Sequence, residues 1–232
     1  MSILDNIRHI QKEIAKIAKD CNRNPSSIRL IAVSKRHSID SIKEAIEAGQ
    51  LQFGENYIQE AAEKIHNLDP TAVFHFIGHI QSNKAKLAAE LFSMVETVDR
   101  FKLAKALNNR LTTLDRKLDI LIQVNIGEDP KKSGVSPGKA EELLKQISEL
   151  SHIRPMGLMT IPPFSQNVEK TRIHFRNLYN LSHELAEKKL FTNNDRVELS
   201  MGMSQDYKVA IEEGSTIIRV GTAIFGTRPN II

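Results

Sequence analysis

The chain has 232 residues, 41% hydrophobic and 26% charged, with a formal net charge of +4, which is the composition of a soluble globular protein large enough for one sizeable core. No apolar stretch approaches the ~20 residues of a membrane-spanning helix, and a single cysteine, Cys21, excludes an internal disulfide and makes the cytoplasm the expected compartment. Lysines and arginines are spread among acids, aromatics are 5% and Trp is absent, so no concentrated basic or stacking face for nucleic acid is expected.

The N-terminus carries Ile3, Ile7, Ile10, Ile14 and Ile17 with charges between them. That spacing predicts an N-terminal amphipathic helix, not a signal peptide. Strand candidates then follow in order: "LIAVSK" (30–35), "LQFGEN" (51–56), "FHFIGH" (74–79), "MVETVD" (94–99), "LDILIQVNI" (118–126), "IRPMGLMTI" (153–161), "VELSMGMS" (197–204) and "STIIRVGTAIFG" (215–226). Helical patterns separate them, several with a Ser or Asp cap before and a Gly or Asn after, as with Ser38 and Gly49 around "SIDSIKEAIEAG". About eight strands, each followed by a helix except the last, predict a parallel sheet closed into a single (β/α)8 TIM barrel over residues 1–232. The competing open, doubly wound sheet needs a glycine-rich turn after the first strand. "AVSKRHS" has no glycine.

Barrel chemistry belongs at the C-terminal ends of the strands, with phosphate favoured after strands seven and eight. Strand seven ends "LSMGMSQD", with Ser200, Gly202 and Ser204, and strand eight carries "RVGTAIFG", with Gly221 and Thr222. Small residues let backbone N–H groups approach an anion and hydroxyls add donors. Either turn alone reads as ordinary; the pair at the favoured positions makes a candidate phosphate site. Arg219 interrupts an apolar strand, where a guanidinium needs a partner. It is either a structural ion pair with an acid such as Glu55 or Glu198, or a fixed donor toward a ligand. Lys35 ends strand one. Alone it reads as a snorkelling surface lysine; in a barrel mouth beside a phosphate site and an arginine, it is a candidate Schiff-base amine. Pyridoxal 5′-phosphate (PLP) meets all three features, with its aldehyde on Lys35, its phosphate on the Ser/Gly/Thr loops and its ring nitrogen toward Arg219. Asn56, His79, Gln81 and Asn83 end strands two and three and could reach the mouth, although Asn83 also reads as a helix cap and Gln81 as a loop former; Asn56 is favoured as a ring contact or as a group that supports one. The basic loop at Lys131 and Lys132 reads as solvated. No metal-ligand spacing occurs among the eight histidines.

The ordered series "AVSK", "FGENYIQE", "HFIGHIQSNK", "QVNIGEDPKKSGV", "GLMTIPP", "LSMGMSQDY" and "IRVGTAIFG" closely resembles the YggS/PROSC family of pyridoxal phosphate homeostasis proteins, nearly end to end. The resemblance implies a barrel of the alanine racemase N-terminal type, PLP on Lys35, Arg219 facing the pyridine nitrogen, and Ser200, Ser204, Gly221 and Thr222 around the phosphate. It further implies PLP storage and release, with apo PLP enzymes as transient acceptors. An arginine keeps its proton and cannot make a pyridinium, which restrains carbanion chemistry. The racemase's second base comes from a C-terminal domain, and this chain ends at Ile232, soon after strand eight. The expectation is an exchangeable PLP site on a monomer without robust turnover; the alternative is a low-activity PLP-dependent amino-acid racemase, which needs a second acid/base opposite Lys35.

Overall fold

The structure is a computed structural model that describes residues 2–163, 165 and 167–227. Eight parallel strands close into a barrel in sequence order: β1 (Arg29–Val33), β2 (Gln52–Glu55), β3 (Val73–Phe76), β4 (Met94–Val98), β5 (Leu118–Gln123), β6 (Ile153–Met159), β7 (Glu198–Ser200) and β8 (Ile217–Val220). Pairing of Leu30 with Ile218 and of Ile31 with Arg219 closes the ring between β1 and β8. The helices are α1 (Ile3–Asp20), α2 (Ile39–Glu47), α3 (Ile58–Ile65), α4 (Ala85–Leu91), α5 (Phe101–Thr113), α6 (Ala140–Ile147), α7 (Val168–Glu187), α8 (Tyr207–Glu212) and α9 (Thr222–Phe225). The (β/α)8 TIM barrel and the N-terminal helix expected from the sequence are both present.

Local chemistry accounts for the boundaries. Ser2 and Asp5 form a reciprocal cap on α1, and the Ser38 hydroxyl accepts the Ser41 amide at the start of α2. Gly49, at φ 87°, lets the chain leave α2 through the left-handed region. The strands are shorter than the apolar runs. Their polar ends, such as Ser34-Lys35 and Asn56, lie in the loops beyond the last ladder residue. The run 215–226 is corrected most. Only 217–220 is strand, and 222–225 turns into a short helix after Gly221, so the eighth strand also has its helix.

Period two divides each strand between two environments. Leu30, Ala32, Phe53, Phe74, Phe76, Leu158, Leu199, Ile218 and Val220 pack in the large core between barrel and helices. Ile31, Met94, Leu121, Met159 and Ile217 form a separate small cluster inside the barrel. The next inward-facing position beyond several of these is polar: Glu96 after Met94 and Arg219 after Ile217, with Ser200 and His75 from β7 and β3, all buried. The barrel is thus apolar lower down and charged directly beneath its C-terminal mouth, where a (β/α)8 barrel keeps its site.

Candidate functional site

A cavity of about 400 Å³ opens at that mouth. Lys35 and Val33 from the end of β1, Asn56 after β2, Ser204 and Asp206 after β7, and Arg219, Gly221 and Thr222 at the end of β8 line it. Ile77, Ile161, Pro162, Pro163, Val168 and Met203 supply apolar wall. Of the residues expected from the sequence, Lys35, Asn56, Ser204, Arg219, Gly221 and Thr222 meet here. Gly202 and Ser200 do not line the cavity, nor do His79, Gln81 and Asn83. Gly202 shapes the loop instead. It sits at φ 96°, and a Cβ there would come within 2.5 Å of the Ala210 Cβ, so only glycine brings the 203–206 turn this close to α8.

Ser200 is fully buried and its hydroxyl is used within the protein. It accepts from Arg219 Nη1 and donates to Glu96 Oε2 at 2.5 Å. Arg219 Nη2 donates to the Thr160 carbonyl at 2.8 Å, and Nη1 lies 3.9 Å from Glu96 Oε2. Glu96 Oε1 lies 2.7 Å from His75 Nδ1. The acids first considered for Arg219 are engaged elsewhere: Glu55 pairs with Lys64 and Glu198 with Arg29. Period two explains the correction, because Glu55 follows Phe53 on the outer face of β2. Burial alone would push the Glu96 carboxyl up. The His75 hydrogen bond and the charges of His75 and Arg219 outweigh it and hold Glu96 below its ordinary value. Burial pulls Arg219 down against the opposing charges of Glu96 and Asp206, but a guanidinium starts high enough to stay a cation.

Several lining groups carry no signal as site residues in the sequence, among them Asp206, Lys132 and Thr171. Asp206 accepts the Met203 amide at 2.6 Å; burial raises its carboxyl, against that hydrogen bond and the Arg219 charge. Lys132 donates to the Ile161 and Pro162 carbonyls at 3.3 and 2.6 Å, which ties the basic loop over β6, and burial lowers its ammonium against the pull of Asp129. Thr171 reaches the cavity from α7. The signal for Glu96 was present: a lone acid in "MVETVD" poses the same burial problem as Arg219. Nothing in "DPKKSG" distinguishes Lys132 from a solvated lysine.

Residues 4–229 match the family described as alanine racemase, N-terminal domain. The chain is 42% identical over 231 residues to the pyridoxal phosphate homeostasis protein of Haemophilus influenzae, covering 98% of this chain and 97% of the relative. It is 40% identical over 232 residues to the protein of the same name from Escherichia coli K12, covering 97% of each. The chain belongs to the pyridoxal phosphate homeostasis protein family. Among solved structures, PipY of Synechococcus elongatus with PLP bound superposes with a TM-score of 0.81 at 37% identity, over 92% of this chain and all of that one (100%). Alanine racemase of Corynebacterium glutamicum gives 0.71 at 18% identity, over 98% of this chain and 62% of its own, which speaks for a shared barrel alone. Among the described residues of this family member, no group of three or more His, Cys, Asp or Glu side chains could hold a metal ion, and no helix is long and apolar enough to cross a membrane.

Proposed function

We propose that the chain is a PLP-binding protein of PLP homeostasis, holding PLP reversibly as a Schiff base on Lys35. The observation that carries this reading is the convergence, in one cavity, of Lys35, the buried Arg219, Ser204 and Thr222 from the C-terminal ends of the neighbouring strands β1, β8 and β7. The residues fit such a ligand. Asn56 Oδ1 is buried at the cavity wall with no hydrogen-bond partner among the described residues, a polar atom that costs free energy until a ligand or water satisfies it. Gly221 brings the β8 turn against β1, where a Cβ would already touch Val33 at 3.3 Å. The amides that open α9 cannot be satisfied within that helix.

PLP, when bound, supplies an aldehyde that condenses reversibly with an amine, releasing water. The protein's part is to hold it. Ser204 and Thr222, with the amides beside them, would take the phosphate. Arg219 would face the ring nitrogen and donate to it, and because it keeps its own proton it would leave that nitrogen unprotonated. Ser200, Glu96 and Thr160 fix the guanidinium in place. Among the described residues, the ionisable lining groups besides Lys35 and Arg219 are Lys132, bound to two carbonyls, and Asp206, bound to a backbone amide; neither a tyrosine nor a histidine is among the described lining residues. This supports storage and release over racemisation. Under the same reading the protein is a cytoplasmic monomer that gives PLP to apo PLP enzymes.

The test has two parts. Loaded protein, freed of unbound PLP by gel filtration, is mixed with an apo PLP enzyme; recovery of that enzyme's activity at the expense of the bound chromophore is the expected result. In deuterated water, amino acids added to loaded protein should show no α-proton exchange. Rapid exchange would instead favour the racemase.

A further inference from the structure

Lys35 sits in a turn that is clasped from outside the barrel. The His37 amide donates to the Ser34 carbonyl at 3.1 Å, closing a four-residue turn. Its third residue, Arg36, has φ 61°, a left-handed conformation uncommon for a side chain with a Cβ. Behind this turn lies Lys64 of α3, which is 6% exposed. An ammonium has three N–H donors, and all three have acceptors here: the Ser34 carbonyl at 2.7 Å, Glu55 Oε1 at 2.9 Å and Glu60 Oε1 at 2.5 Å. Glu60 Oε1 also accepts the Arg36 amide at 2.5 Å, and the Ser34 hydroxyl donates to Glu55 Oε1 at 2.7 Å.

The Ser34 carbonyl belongs to the peptide entering Lys35, and the Arg36 amide belongs to the peptide leaving it. Peptide groups are planar, so the only soft angles between those two planes are φ and ψ of Lys35 itself. Tying both planes to one ammonium, directly on one side and through Glu60 on the other, sets the direction of the Lys35 Cα–Cβ bond. An ion pair that merely fastened α3 to β2 would need Glu55 and Lys64 alone. The additional bonds end on the two peptides that flank Lys35.

We propose that Lys64 and Glu60 are positioning residues that aim the Lys35 amine into the cavity. This rests on the reading of Lys35 as the PLP anchor. It extends that reading outside the barrel, to groups that do not line the cavity.

The test compares the full chain with E60A, E60Q and the double variant K64M/E55Q, which removes the buried Lys64–Glu55 charges together and leaves only the half-buried Glu60 carboxylate without its cation. Excess PLP is added, the growth of the Schiff-base absorption is timed, and the adduct is fixed with borohydride and mapped. E60A and K64M/E55Q should melt as folded proteins but label Lys35 about 10- to 100-fold more slowly, with label spreading to other lysines. E60Q keeps an oxygen for both donors and should recover most of the wild-type rate. Wild-type rate and selectivity in E60A and folded K64M/E55Q would overturn the proposal. If the double variant does not fold, E60A, whose side chain is at the surface edge of the cluster, decides alone. Failure of the wild-type protein itself to label Lys35 would sink the PLP reading before the variants are compared.

Discussion

Two buried cations flank the β1 side of this barrel, and they are treated differently. Lys64 lies outside the strands and has all three donors on protein oxygens. Arg219 lies inside, lines the cavity, and places two donors on Ser200 and Thr160 out of the five a guanidinium carries. The saturated cation behaves as a fastening; the other, equally buried, lines the cavity with donors to spare and, under the proposed function, is the one that meets the ligand. Burial of a charge therefore says little about its role until its donors are counted against its acceptors.

The acids that accompany the two cations sharpen the contrast. Glu96→Ala removes the carboxylate inside the barrel that neutralises Arg219 and orders Ser200. Breaking one side of a buried pair costs about 3–5 kcal/mol, and a thermal melt should fall by several degrees for each kcal/mol lost in a domain of this size. Lys64→Met should cost less, about 1–3 kcal/mol, because the stranded Glu55 can take a proton: burial already raises its carboxyl above the ordinary value of 4.5, ahead of the opposing Lys64 charge and hydrogen bonds. Part of that loss should return as the pH is lowered toward 5, and equal losses for the two variants at both pH values would break the comparison.

On the ligand side, Thr222→Val should weaken PLP retention roughly tenfold while leaving the melt unchanged, since a hydrogen bond to a charged group is worth about 1.5–3 kcal/mol at most; equilibrium dialysis measures it. The smallest effect is a pair of opposed pH slopes. Glu96, held below 4.5 in the fold, contributes stability that is present above pH 4.5 and is lost as the pH falls through its lower folded value. Glu55, raised in the fold, contributes most below pH 4.5 and loses that contribution as the pH rises through its folded value. Glu96→Gln should therefore flatten the acid limb of a denaturation profile and Glu55→Gln the limb above it, each by no more than about 1.4 kcal/mol per pH unit.

Much of this was legible in the chain. The eight strands and the alternation with helices follow from hydrophobic period, and Ser38, Gly49, Ser204 and Thr222 could be placed because caps and turns have local chemistry. Arg219 and Lys35 stood out because a charge inside or at the end of an apolar run demands an explanation. What could not be read was partnership. Which acid faces Arg219 depends on the closure of β8 against β1 and on β4 and β7 standing across the barrel, contacts more than a hundred residues apart, as Ser200 is from Glu96. Lys132 and Lys64 were invisible for the same reason: their spacing is that of ordinary surface lysines, and only tertiary packing puts one over the cavity and the other behind Lys35. Ser200 was assigned to the phosphate by its place in "LSMGMS", whereas the short β7 ends at that residue and turns its side chain into the barrel.

The measurement that tests the central claim most directly is borohydride reduction of PLP-treated protein followed by peptide mapping. The account predicts a yellow protein whose reduced pyridoxyl group is found on Lys35, and a Lys35→Ala protein that carries none there and loses the absorption band. A colourless protein that takes up no added PLP, or an adduct confined to another lysine, would contradict it.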